Sequence, residues 1–227
     1  AEIVSGDVLE IGTGSGYGVA LIAPHADRFL TVDKTVLPPG IVPEGGNVEF
    51  RRMTIPPLKG LPSGCMDYVI CFQVIEHIRD DFGTIAEIQR VLKPNGQLLI
   101  STPNKAMSLT RNPWHLREYT VDEFKGLIGC YFDHFEAFGV YGNGKVMQYY
   151  EENKRAVERI TRYDFLRLQY RLPAPLLRLP YDILNRINRR RLLRNNDELT
   201  TSICADDYYL KKADDQCFDL FFIATKQ

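Results

Sequence analysis

The chain has 227 residues, 44% of them hydrophobic and 25% charged, with a formal net charge of −1. That suits one domain with an insertion and a real core, and it excludes a disordered or low-complexity chain. No apolar run approaches the ~20 residues of a bilayer-spanning helix. Five scattered cysteines (Cys65, Cys71, Cys130, Cys204, Cys217) without CxxC spacing argue against a disulfide framework or a zinc site. They favour a reducing, cytoplasmic setting, and no metal site is assigned. No signal peptide is visible, and the sequence opens on Ala1 rather than Met, so its start says nothing of what precedes.

In chain order, "GDVLEIG" reads as a short buried strand, and the glycine-dense "GTGSGYG" leads into a helix over "SGYGVALIAPHA", stopped near Pro24. "FLTVD" is a second strand ending on Asp33, "NVEFRRM" a third and "MDYVICF" a fourth. The fourth is almost continuously apolar, as a strand covered on both faces should be. "DFGTIAEIQRVLK" has apolar residues at helical spacing, "PNG" ends that helix, and "QLLISTP" is a fifth strand. Thr120 and Glu123 have capping-box spacing before the apolar run of another helix. "FEAFGVYG" and "CFDLFFIATK" read as strands six and seven. Alternating strands and helices predict an α/β fold, a doubly wound, mostly parallel seven-stranded sheet. Residues 1–142 and 217–227 form its core, and 143–216 form a helical insertion between the last two strands, broken by Pro173, Pro175 and Pro180.

The insertion differs in charge from its host. Between Lys154 and Arg194 there are twelve Lys/Arg against three Asp/Glu, while the rest of the chain has sixteen against twenty-six. In "YDILNRINRRRLLRN", Ile183, Leu184 and Ile187 share one helical face, with Arg186, Arg189, Arg190 and Arg191 mostly elsewhere. Three occupations suit such a helix: a lid packed on the core, a hold on an acidic or lipid-linked acceptor, or contact of 183–194 with an anionic membrane surface. Nucleic acid is less favoured, because RNA binding calls for aromatics interleaved with the charges on an exposed sheet.

A glycine loop behind a first strand lets backbone approach a ligand closely. The dinucleotide fingerprint G-x-G-x-x-G fails here, because position six falls on Tyr17 or Val19, and this disfavours hydride transfer to a nicotinamide. The actual pattern is Glu10-x-Gly12-x-Gly14-x-Gly16. Glu10 would repel a pyrophosphate and favour a cationic ligand, and Asp33, about 20 residues on, is placed to hold a ribose.

With "VLEIGTGSG", "TVD", "MDYVICFQVIEHI", "RVLKPNGQLLISTPN" and "WHLREYT" in order, the chain resembles the class I S-adenosylmethionine-dependent methyltransferases. Within them it resembles the broad group that includes ubiquinone-biosynthesis O-methyltransferases. The resemblance covers about residues 8–124 and implies a Rossmann-like fold, S-adenosylmethionine as cofactor and methyl transfer to a small-molecule or lipid/glycan-linked acceptor at oxygen. It also implies cofactor contacts from Glu10, Gly12, Thr13, Gly14, Gly16, Asp33, Lys34, Phe72 and Gln73. Where the family commonly has Gly-Asp after strand three, this chain has Met53-Thr54. The Thr hydroxyl can still accept from an adenine amino group, and the Met thioether can pack on the purine. That departure keeps a rival open, a non-catalytic cofactor-fold protein that engages a partner through its basic insertion.

Glu76 and His77 read as a helix-start hydrogen-bond network. A hydroxyl acceptor needs a base, and His115, in the segment after strand five, is the candidate catalytic residue; its alternative is to pin that segment together with Glu118. The setting expected is cytoplasmic, or peripheral at a membrane.

Overall fold

The computed structural model describes residues 4–43, 45–162, 168–195 and 201–227. Its first half lays down β1 (Asp7–Ile11), β2 (Arg28–Asp33), β3 (Val48–Arg52), β4 (Met66–Phe72) and β5 (Leu92–Pro103). With β6 (His134–Gly142), β7 (Tyr208–Lys212) and β8 (Asp219–Thr225) these form one sheet in the order β3-β2-β1-β4-β5-β8-β6-β7. The first five strands are parallel; β8 lies antiparallel between β5 and β6, and β7 closes the edge antiparallel to β6. Strand order reverses between β1 and β4, which places the switch point at their carboxyl ends.

Alternate residues of a strand face opposite sides, and here both sides are covered. Leu9 joins a core with Ile85 and Ile88 of α2 (Asp81–Val91) and Phe124 and Leu127 of α3 (Val121–Gly129), while Val8 packs with Phe29 and Val19 on the other side. Val19 belongs to α1 (Tyr17–Leu21). The Asp80 side chain caps α2, and both halves of the expected Thr120–Glu123 capping box cap α3.

The sheet has eight strands rather than seven. The extra one, β7, falls inside 143–216, which the sequence presents as helical. "YYLKK" lacks the alternation that marks a half-buried strand, because every residue of this edge strand is exposed. The first helix is also shorter than expected, giving way to a 3-10 turn at Ala23–His25, where Pro24 cannot donate a helical hydrogen bond. "PNG" does not separate α2 from β5 as a loop. β5 begins at Leu92, and Asn95, with φ 65°, turns the chain within it.

The insertion contributes α4 (Gly144–Thr161), α5 (Leu168–Arg171) and α6 (Ala174–Asn195). Pro175 lies in the first turn of α6, where no intrahelical donor is needed, and the helix continues through Pro180 at the loss of one backbone bond. Side chains fasten the insertion to the segment after β5. Arg178 lies 4.4 Å over the Trp114 ring, Trp114 Nε1 donates to Asp182 (3.0 Å), Arg111 donates to the Gln169 and Leu172 carbonyls (both 3.2 Å), and the Tyr150 hydroxyl donates to the Met107 carbonyl (3.2 Å).

Candidate active site

The residues expected to bind cofactor lie along four neighbouring strand ends, β3-β2-β1-β4. Gly12, Gly14 and Gly16 leave β1 with φ of 89°, 52° and 85°, which side-chain-bearing residues rarely adopt. Space imposes the same choice twice: a Cβ on Gly12 would strike Val74, and one on Gly16 would strike Ile41.

Behind this loop Glu10 is only 7% exposed. Thr31 donates its hydroxyl to Glu10 Oε2 (2.5 Å) and shares a 2.7 Å bond with the Thr13 hydroxyl. Burial raises the Glu10 pKa to about 7; the Thr31 bond opposes this, and the charge of Asp33 adds to it. The other carboxylate oxygen occupies the place a Gly18 Cβ would take. Asp33 behaves differently. Burial would raise its pKa, but the Thr35 N–H (2.9 Å), the Thr35 hydroxyl (2.7 Å) and the Gly14 N–H (3.3 Å) hold it below the usual range. One acid is thus a fixed anion, and the other is readily discharged or neutralised by a cation.

Lys34 and Thr54 are exposed, whereas Met53 is half-buried against the core and donates its N–H to the Asp33 carbonyl (2.7 Å). Phe72 is exposed at the end of β4, its ring 5.8 Å from Phe221. Gln73 has φ 56°, an uncommon conformation for a side-chain-bearing residue, and such strain tends to gather at functional turns. Its N–H bonds the Ser101 carbonyl (2.9 Å), and its side-chain amide reaches Ser101 Oγ (3.4 Å) and Asp219 Oδ1 (3.2 Å). Burial pushes the Asp219 carboxyl up.

Beyond β5 the acceptor segment is bolted to the sheet. Tyr119 is fully buried and donates to Asp81 (2.8 Å), as does Arg117 (2.8 Å). The Leu116 N–H bonds the Glu76 carbonyl (2.8 Å), and Glu76 Oε2 accepts from the Thr102 hydroxyl (3.0 Å). Glu76 thus ties the acceptor segment to β5, and burial pushes its carboxyl up. His115 Nδ1 lies 2.7 Å from Glu118 Oε1 and His115 Nε2 lies 2.8 Å from Asn112 Nδ2. Burial would raise the Glu118 pKa, but its bonds from His115 and Ser108 hold it low, so it is a carboxylate. His115 Nδ1 is then the donor, and Nε2, facing the Asn112 amide nitrogen, is the acceptor. Donor atoms of Glu76, His77 and His115 lie within 4.8 Å of one another, close enough to share protons or hold a cation. The sequence, which offers no metal-ligand spacing, gives no sign of this grouping.

His115 and Glu118 line a cleft of about 470 Å3 walled by Pro103, by the 108–112 segment and by the facing sides of α4 and α6. α6 turns Tyr181, Asn185 and Asn188 into it, one or two turns apart. The apolar side of α6 faces away, with Leu179 70%, Ile183 49% and Ile187 56% exposed. The sequence missed Thr31, Asp219 and these cleft residues. Thr31 alone left a signal, a polar residue within an otherwise apolar strand.

Among doubly wound sheets, a glycine loop at the switch point with acids on the first two strands defines a Rossmann-like ligand-binding domain, here with a second cleft beyond β5. Residues 2–136, more than half of the chain, match the methyltransferase domain family, and the chain belongs to that family. It is 38% identical over 128 residues to a "probable S-adenosylmethionine-dependent methyltransferase" of Mycobacterium tuberculosis, covering 54% of this chain and 46% of that protein. It is 30% identical over 103 residues to a ubiquinone biosynthesis O-methyltransferase of Hahella chejuensis, covering 43% of each. The chain thus spans about half the length of the curated relatives it matches. A solved S-adenosylmethionine-dependent methyltransferase of Thermotoga maritima, described as a possible histamine N-methyltransferase, shares the fold. Its TM-score is 0.55 over 97% of this chain and 82% of that one, at 13% identity.

Proposed function

We propose that the chain is an S-adenosylmethionine-dependent methyltransferase that acts on a hydroxyl entering the cleft beyond β5. The residues present fit the cofactor: the cradle at Gly12 and Gly16 that side chains would fill, a buried carboxyl awaiting a cation and a fixed anion on β2. Asp33 would take the ribose hydroxyls, Glu10 and the loop from Gly12 to Gly16 the methionine part, Lys34, Met53 and Thr54 the adenine side, and Phe72 and Gln73 the methyl-donor side. When bound, the cofactor supplies a methyl on a sulfonium sulfur, whose C–S bond breaks with its electron pair left on sulfur as the acceptor oxygen takes the methyl. The protein's own work is alignment, exclusion of water and removal of the hydroxyl proton.

The observation that carries this reading is the His115–Glu118 pair at the cleft wall. Glu118 orients the ring through Nδ1, and Nε2, which faces the Asn112 amide nitrogen, is the nitrogen that would take the proton once the acceptor hydroxyl replaces that amide. His115→Ala should lower kcat by about 10²–10⁴-fold, the usual worth of a general base, while cofactor affinity and Tm stay near wild type. An unchanged rate makes His115 scaffolding. A rate abolished by EDTA and restored by a divalent cation makes Glu76, His77 and His115 cation ligands instead.

A second reading, contact of 183–194 with an anionic membrane, is favoured by the outward apolar face of α6. Ile183, Leu184 and Ile187 are exposed beside exposed Arg186 and Arg190, whereas the side chains of Arg189, Arg191 and Arg194 lie outside the described residues. Among the described residues no helix is long and apolar enough to cross a membrane. Core and insertion then divide the work, residues 1–142 and 217–227 holding the cofactor and 143–216 covering the acceptor.

A further inference from the structure

The chemistry of the cleft beyond β5 is more specific than its position. Four side-chain amides from three places meet there: Asn112 after β5, Asn153 on α4, and Asn185 and Asn188 on α6. An amide presents a donor and an acceptor together, the pair that a sugar hydroxyl, itself donor and acceptor, can satisfy at once. The amides are already set in place by one another and by their neighbours. Asn188 Nδ2 donates to Asn153 Oδ1 (2.7 Å), and Asn112 Oδ1 takes the Trp114 N–H (3.0 Å). Among the described residues Asn153 Nδ2 and Asn188 Oδ1 have no partner. Tyr149 and Tyr181 line the same space, adding flat apolar faces with polar tips of the kind that pack against the C–H side of a pyranose.

The charge of the lining disfavours an anionic acceptor. The lining has one anion and one imidazole, Glu118 and His115, bonded to each other. Neither Lys nor Arg lines the cleft among the described residues. Although the insertion is rich in arginine, Arg178 stacks on Trp114, and Arg186 and Arg190 are exposed on the outer side of α6. A phosphate or carboxylate would enter without a countercharge, and a bare aromatic ring would leave several amides unpaired. The volume, about 470 Å3, lies within the range of pockets that enclose small ligands.

We infer that the acceptor is a neutral saccharide, held by these amides and tyrosines with one ring hydroxyl offered to His115; this rests on the hydroxyl-transfer reading. The hydroxyl proton passes to His115 Nε2 as the oxygen takes the methyl, and it leaves to solvent when the imidazolium is next deprotonated.

The test is saturation-transfer NMR on the full chain saturated with S-adenosylhomocysteine. The probes are maltotetraose, mannotetraose and galactotetraose, with glucose 6-phosphate and catechol as contrasts. The expected result is transfer to the ring protons of at least one neutral tetraose, and methylation of that tetraose when S-adenosylmethionine is supplied. Binding should weaken at least tenfold in Asn153→Leu/Asn188→Leu, and in the milder Asn185→Ala, with S-adenosylhomocysteine affinity unchanged in both. Binding of glucose 6-phosphate or catechol in preference to every tetraose overturns the saccharide assignment and leaves methyl transfer to a hydroxyl standing. Absence of transfer to all three tetraoses also overturns it. Failure to bind S-adenosylhomocysteine at all overturns the methyltransferase reading itself.

Discussion

Glu10→Gln isolates the consequence of burying a carboxyl behind the glycine loop. Gln keeps the shape and an oxygen to accept the Thr31 hydroxyl, but it cannot ionise. With a pKa of about 7 in the free protein, Glu10 is about one-tenth ionised at pH 6 and about nine-tenths at pH 8. If its ionised form holds the cationic cofactor, apparent affinity for S-adenosylmethionine should fall about tenfold from pH 8 to pH 6, about 1.4 kcal/mol. Calorimetric titration in two buffers of different ionisation enthalpy should then show proton release near pH 7. In Glu10→Gln the affinity should be lower and nearly independent of pH, with no buffer-dependent heat. Stability carries the opposite sign. The folded pKa lies above the unfolded value of 4.5, so stability present below pH 4.5 is lost as pH rises through about 7, by about 3 kcal/mol. The variant should lack that loss. A wild-type affinity that does not change between pH 6 and 8, or a variant that keeps the full pH dependence, refutes the assignment of Glu10.

Three further outcomes follow from the geometry. Asp33→Ala should weaken cofactor binding by about 1.5–3 kcal/mol, the range for hydrogen bonds to a charged group; wild-type affinity by calorimetry removes Asp33 from the ribose site. Gly18→Ala should destabilise by about 1–3 kcal/mol through overpacking, although alanine favours helix, because its Cβ meets the Glu10 carboxylate. Denaturation of the double variant Glu10→Ala/Gly18→Ala should show most of that loss recovered, and strict additivity would sink the contact. If the outer face of α6 meets lipid, sedimentation with phosphatidylserine vesicles should exceed that with phosphatidylcholine at low salt and decline as salt rises. Equal sedimentation with both would leave α6 as a cover for the cleft alone.

Local chemistry made the core of this protein legible in its sequence. Buried strands declare themselves by apolar runs, the capping box by Thr120 and Glu123, and the cofactor loop by glycines whose positive φ no other residue takes readily. Asp33 could be placed because the end of a strand after a glycine loop has one position relative to it. Other features depend on contacts between residues distant in the chain. β7 is a strand only because β6 offers it an edge, and its own five exposed residues carry no pattern. The pKa of Glu10 reflects burial against Gly18 and Thr31, and Asp219 reaches Gln73 from 146 residues away. The cleft itself is made by α4, α6 and the segment after β5, whose asparagines look like ordinary surface residues until the fold turns them toward one another. The direction of α6 was likewise decided by tertiary contacts. Periodicity assigned Ile183 and Ile187 to one face, but the Arg178–Trp114 and Trp114–Asp182 contacts determined which face turned inward.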